Sequence, residues 1–274
     1  MKKFSLILLL TLTAGVPAIN IGCSSSGGGS GNPGTGGMGG GIPLIASMDG
    51  FFDGSNEAGI LGAWYSYGDW YNPAAGAGDC AVMGMFTAAQ CSSITAPVPG
   101  MPFTNAGDGK MCTNGTAAKV IPMAGSTTPA YSAVWGAGIG FDLNNAGNDG
   151  GTGKNAWDAT AHGVTGFAFD IDMPPTGGQM RVEFPTNVLP GTTDINAAYW
   201  GGVGNNLSPI TKGGSYSFHF DPPSPNGVGG PMYLMNATPF DKTKILSMQF
   251  HVVTNTSSTI DFAYCISNLR ALTD

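Results

Sequence analysis

Four short runs of this 274-residue chain carry side chains able to grip a ligand. "WYSYGDWY" supplies Trp64, Tyr65, Tyr67, Trp70 and Tyr71, "QMRVEF" supplies Arg181 and Glu183, "SYSFHF" supplies His219, and "ILSMQFHVV" supplies Gln249 and His251. Guanidinium, amide and imidazole groups can fork onto vicinal hydroxyls, each net hydrogen bond contributing about 0.5–1.5 kcal/mol. An aromatic ring can stack on the apolar C–H face of a sugar. Trp70 and Tyr71 follow Gly68 and precede Pro73, which puts them on a turn or loop, where a ring lacks packing partners.

These residues must be positioned by strands. Period-two alternation recurs, and no stretch of twelve or more residues holds a helical stripe. Phe167, Phe169 and Ile171 share one side of their run, as do Met180, Val182 and Phe184 in theirs. Tyr216, Phe218 and Phe220 follow the same pattern, and so do Leu246, Met248, Phe250 and Val252, then Ile260, Phe262, Tyr264 and Ile266. Further candidate strands are Pro43 to Met48, Ile60 to Tyr67, Ala81 to Phe86, Ala117 to Pro122 and Tyr131 to Leu143. Trp135 alternates in phase with Ile139 and Phe141 and is expected in the core. Some ten short strands between Gly/Pro/Asn turns predict an all-β fold, an antiparallel β-sandwich. Each buried Phe or Met contributes about 1.5–3 kcal/mol, so the inward sets fix the register. That leaves Arg181, Glu183, Ser217, His219, Gln249 and His251 facing outward. In "LGAWYSYGD", Trp64 and Ser66 share one side and Tyr65 and Tyr67 the other.

Composition narrows the setting. Residues 1–23 have Lys2 and Lys3, an apolar run and small residues up to Cys23, the form of an export leader too short to span a membrane. Residues 24–41, rich in Gly and Ser, are expected to be a flexible tether, and residues 42–274 a single domain. Losing Lys2 and Lys3 with the leader takes the net charge from −7 to −9, which disfavours nucleic acid as a partner. Only 10% of residues are charged, so neutral polar ligands suit the surface. Cys80, Cys91, Cys112 and Cys265 allow three disulfide pairings in an exported chain. The favoured one joins Cys80 to Cys91, closing a short loop, and Cys112 to Cys265, pinning the last strand. No C-x-x-C spacing supports zinc.

Several motifs fail on inspection. "NDGGTGKN" lacks the first Gly and the final Ser/Thr of a phosphate loop, and "DLNNAGNDG" has Gly153 where an EF-hand needs Glu. H-E-x-x-H and G-x-S-x-G are absent from the sequence. A glycosidase would need two carboxylates flanking a sugar, for which Glu183 and Asp170 are the conceivable pair.

Beyond these patterns, "LIASMDGFFDGSNE" resembles the L-I-D-D-F-E-D-G-D opening of galactose-binding-like jelly-roll domains, especially family 11 carbohydrate-binding modules and their relatives in myxobacterial lipoproteins. In order along the chain, "LGAWYSYGD", "AGIGFDLNNAG", "WDATAHGVTGFAFDI", "ILSMQFHV" and "IDFAYCISNLRAL" are similar to later segments of such domains. The resemblance implies a non-catalytic jelly roll whose concave sheet binds a polysaccharide or oligosaccharide, in some members with a structural calcium. Asp49, Asp53 and Asn268 would be the remnant of that calcium site, Gly50, Phe52 and Ser55 standing where relatives carry acids. The Gly22-Cys23 junction resembles a lipobox, with Asn20 in place of the usual Leu; this implies lipidation at Cys23. The membrane would then be met through the lipid anchor alone, and Ser24 implies an outer-membrane or cell-surface address, a plain secreted form being the alternative. Two other functions are open: an adhesive or structural envelope protein that binds protein partners, and a glycoside hydrolase or lyase.

Overall fold

A computed structural model describes residues 41–47, 49–69, 80, 86–94, 103–105, 110–122, 125–131, 133–146, 154–172, 179–186, 210–221, 232–233 and 241–273. Their strands, in chain order, are β1 Gly41–Pro43, β2 Phe51–Asp53, β3 Leu61–Gly68, β4 Ser93–Ile94, β5 Phe103–Asn105, β6 Met111–Ala117 and β7 Gly136–Asp142. There follow β8 Gly166–Asp172, β9 Gln179–Glu183, β10 Gly214–His219, β11 Met232–Tyr233, β12 Ser247–Val253 and β13 Ile260–Leu272. They form two sheets packed as a sandwich, an arrangement compatible with a jelly roll. One sheet has eight strands in the order β11-β10-β8-β13-β6-β4, with β1 beside β13 and β5 beside β6. The other has five, in the order β2-β3-β7-β12-β9. Pairing is antiparallel except for the short β10–β11 contact.

The expected inward sets meet between the sheets. Phe167, Phe169, Ile171, Phe218, Ile260, Phe262, Tyr264 and Ile266 come from the larger sheet. Ile139, Phe141, Met180, Val182, Met248, Phe250 and Val252 come from the smaller. Phe169 meets Phe250 edge to face with ring centroids 4.9 Å apart. Tyr264 is buried, and its hydroxyl crosses the interface, donating to the Phe250 carbonyl at 2.9 Å and accepting from the Ile139 N–H at 3.2 Å. Burial pushes its phenol well above the usual range.

Several local readings change. Residues 44–47 are not a strand; Leu44 and Ala46 are buried while Ile45 is 71% exposed. Gly41, expected as the end of the tether, is paired with Leu272. β6 escaped the pattern because its inward positions include Thr113, Gly115 and Ala117, too small and polar to mark an apolar phase. Gly115 is required there: a Cβ would stand 2.7 Å from the Phe262 ring and 2.3 Å from the Ser93 carbonyl oxygen. In β13 the register shifts between Ser267 and Arg270 around Asn268, whose φ is 48°. This bulge flips the inward set from Ile260–Ile266 to Leu269 and Ala271.

Both favoured disulfides are present, Cys80–Cys91 and Cys112–Cys265. Cys112 and Cys265 stand directly opposite on β6 and β13, so the second bond locks a strand pair. Such bonds fit an oxidising, extracytoplasmic setting.

Candidate ligand-binding face

The outer face of the five-stranded sheet gathers most of the expected residues. In β7 every second residue is glycine, because the strand buries Ala137, Ile139 and Phe141 and turns Gly138 and Gly140 outward. Their neighbours in register complete two rows. Tyr65, Gly140, Gln249 and Glu183 form one, and Tyr67, Gly138, His251 and Arg181 the next. With no side chain on the second strand, groups from β3 and β12 reach each other over bare backbone. Gln249 Nε2 donates to Tyr65 Oη at 2.7 Å. A Cβ on Gly140 would lie 2.8 Å from Gln249 Cγ and 3.2 Å from Tyr65 Oη.

Along the diagonal, His251 Nδ1 lies 2.9 Å from Glu183 Oε1, and His251 Nε2 lies 3.0 Å from the Trp135 carbonyl oxygen. A carbonyl only accepts, so Nε2 is the donor on that side, while Nδ1 faces the Glu183 carboxyl. Both ring nitrogens are therefore engaged. Burial alone would raise the Glu183 carboxyl, but the adjoining His251 charge, its hydrogen bond and Arg181 outweigh it and hold the group below its ordinary range.

At the other end, Lys154 Nζ is 2.8 Å from Asp142 Oδ1 and 4.6 Å from the centre of the Tyr65 ring. Burial would lower this ammonium, yet Tyr65 and Asp142 reverse the effect, and the net shift is upward. Asn145 Nδ2 donates to the second Asp142 oxygen at 2.8 Å. Burial raises both tyrosine phenols, that of Tyr67 well above its usual range with Glu183 adding to the effect. Both therefore stay neutral.

Aromatic rings cap the second row. Tyr67 stacks on Trp135 at 6.0 Å, and Trp135 meets His251 edge to face at 5.5 Å. Tyr65 lies 6.1 Å from Tyr67. Tyr65, Tyr67 and Trp135 are each half-buried. The Tyr67 oxygen is shut from solvent, so the surface this residue exposes is ring. Gln249 and His251 are buried, at 3% and 7% exposure. Trp135 is anchored from below by Asp69, a fully buried residue at the end of β3. Its carboxylate accepts the N–H groups of Trp135, Gly136 and Ser92. Burial nonetheless pushes the Asp69 carboxyl upward.

Tyr65, Tyr67, Arg181, Glu183, Gln249 and His251 are thus brought together. Trp64 is not among them: it is a core residue, 4% exposed, packed on Phe141 at 4.9 Å and Phe250 at 6.0 Å. It takes the inward side of β3, which commits Tyr65 and Tyr67 to the outside. His219 belongs to β10 of the other sheet, paired in register with Gly166, because Phe218 beside it fills the core. Trp70, Tyr71 and Cys23 lie outside the described residues. Glu183 and Asp170 sit on different sheets, and Asp170 accepts a hydrogen bond from the Asn268 amide, so the conceivable glycosidase pair is not assembled.

Asp49 is bonded to Ser47 and Asp53 to the Ser55 N–H. Among the described residues no group of three or more His, Cys, Asp or Glu side chains converges as for a metal. The sequence reading missed Trp135, Lys154, Asp142 and Asp69. Trp135 leaves the core phase because Gly136, at φ 128°, breaks the alternation just before the strand. The glycine beside the tryptophan was the available signal.

No protein-family model, no curated protein and no solved structure matches the chain.

Proposed function

We propose that this protein binds carbohydrate without chemical turnover, using the outer face of the five-stranded sheet. The observation that carries the reading is the group of half-buried rings, Tyr65, Tyr67 and Trp135, set beside the polar side chains of Gln249, His251 and Glu183. Sugar rings offer the complement, C–H faces flanked by hydroxyls. Arg181 and Glu183 at the β9 edge, with Lys154 at the Tyr65 end, supply the polar border.

The engagement of both His251 nitrogens favours binding over catalysis, since a general base must have a nitrogen available to a substrate proton. An anchor at Cys23 followed by the Gly/Ser segment would display the domain at the outer membrane, in keeping with its disulfides.

Affinity electrophoresis of the protein through gels containing a panel of polysaccharides tests the reading. Retardation by at least one glycan is expected, with Trp135→Ala and Tyr65→Ala each weakening it at least about tenfold, as for loss of a stacked ring. A protein retarded by no glycan but recovering an envelope protein in pull-down would replace this reading with an adhesive one. Reducing ends or unsaturated products released in a Glu183-dependent way would replace it with an enzymatic one.

A further inference from the structure

Of the three rings on this face, Tyr65 and Tyr67 are set by the register of β3 on β7, whereas Trp135 stands one residue before β7 begins. Its backbone is placed instead by side chains from other elements. Asp69 Oδ2 accepts its N–H and, at 3.2 Å, that of Gly136, while His251 Nε2 donates to its carbonyl at 3.0 Å. Gly136, at φ 128°, brings little conformational preference of its own, so these bonds decide where the ring goes.

Asp69 is tied in its turn to a distant segment. Its other oxygen accepts the Ser92 N–H at 3.0 Å, and Ser92 Oγ accepts the Ala118 N–H at 2.9 Å. Ser92 follows Cys91, whose bond to Cys80 lies in a second apolar core with Ala118, Ala133 and Val134. Val134 directly precedes Trp135, and its carbonyl accepts from Thr254 Oγ1 at 3.2 Å. Disulfide and tryptophan are thus joined by two buried routes, shared packing and the Asp69 carboxylate.

Resting on the glycan reading above, we infer that Asp69, Ser92 and the Cys80–Cys91 bond position Trp135 for the ligand, so that the affinity of the face depends on a disulfide the ligand never touches. The carboxylate suits this task, since three N–H groups converge on its two oxygens. An amide in its place has one accepting oxygen and turns N–H against N–H on the other side, so Asp69→Asn must release either Ser92 or Trp135 with Gly136. Cys112–Cys265 supplies the contrast, because it joins β6 to β13 in the other sheet.

The test is isothermal titration of the full-length protein with cellohexaose, xylohexaose and mannohexaose, well below the melting temperature of every variant, with near-UV circular dichroism beside it. Wild type is expected to bind at least one of the three. Asp69→Asn and the pair Cys80→Ser with Cys91→Ser should each weaken that binding about threefold to tenfold. Cys112→Ser with Cys265→Ser should leave it unchanged. A bond that serves stability alone leaves the affinity of the folded protein intact in both cysteine pairs, and that result, or equal losses in the two, overturns the inference. The dichroism needs no ligand. Wild type minus Trp135→Ala defines the Trp135 band, which Asp69→Asn should diminish; a band retained in full overturns the positioning role whatever the sugars do. Should Asp69→Asn fail to fold, the cysteine pairs decide by the same two measurements. Wild type that binds none of the sugars, with the band diminished in Asp69→Asn, counts against the glycan reading and leaves the positioning of Trp135 in place.

Discussion

Glu183 holds a negative charge in a largely enclosed place, and only its neighbours make that tolerable. His251 at 2.9 Å and Arg181 offset the cost of burial and leave the carboxyl more acidic than a free glutamate. A carboxyl whose folded value is depressed stabilises the fold fully above its unfolded value, near 4.5, and loses that contribution as pH falls through the folded value. Glu183→Gln removes the charge, leaving His251 Nδ1 facing an amide. The variant should be less stable at pH 7 by about 1–3 kcal/mol, and urea titrations below pH 4.5 should bring the two proteins together. A difference that persists unchanged into strong acid would show that the pair is not held by charge.

Among the elements, β7 decides the face. Its glycines are not loop punctuation but the absence of side chains where the tyrosines and β12 must meet. A Cβ at Gly138 would lie 2.0 Å from the Phe250 carbonyl oxygen, against 2.8 Å for the closest approaches at Gly140, to Gln249 Cγ and the Met248 carbonyl oxygen. Gly138→Ala should therefore destabilise by about 1–3 kcal/mol, and Gly140→Ala by less. Denaturant unfolding of both variants measures this order, and equal costs would contradict the close packing of β7 on β12. The same strand explains Trp135. With Gly136 at φ 128° and Asp69 holding the Trp135 and Gly136 N–H groups, the chain enters β7 with the tryptophan turned onto Tyr67 and His251.

For the molecule as a whole, the two disulfides do different work. Cys80–Cys91 closes an 11-residue separation, whereas Cys112–Cys265 closes one of 153 and locks β6 to β13 in the larger sheet. Loop-closure entropy puts their contributions at about 3 and about 5 kcal/mol respectively. The double variant Cys112→Ser with Cys265→Ser should thus melt lower than Cys80→Ser with Cys91→Ser in scanning calorimetry. The reverse order would mean that the short loop carries native packing beyond its closure. Tyr264 adds to the long-range bond, since its hydroxyl reaches both β7 and β12 from β13.

What could be read from the chain alone was whatever repeats at short range. Alternation in Phe167–Ile171, Met180–Phe184 and Met248–Val252 specified strands, their buried sides and an all-β sandwich, because a strand exposes every second residue to the same environment. The same parity turned Arg181, Glu183, Gln249 and His251 outward, and the spacing of four cysteines suggested their own pairing. Parity cannot say which strands are neighbours or which sheet a strand joins, since those depend on contacts between residues far apart in the chain. So His219 and His251, alike in pattern, stand on different sheets, while Tyr65 and Gln249, 184 positions apart, share a hydrogen bond. Nor can parity survive a backbone irregularity. Gly136 and Asn268 each shift the phase, and only the folded chain reveals that Trp135 therefore belongs to the face and Leu269 to the core.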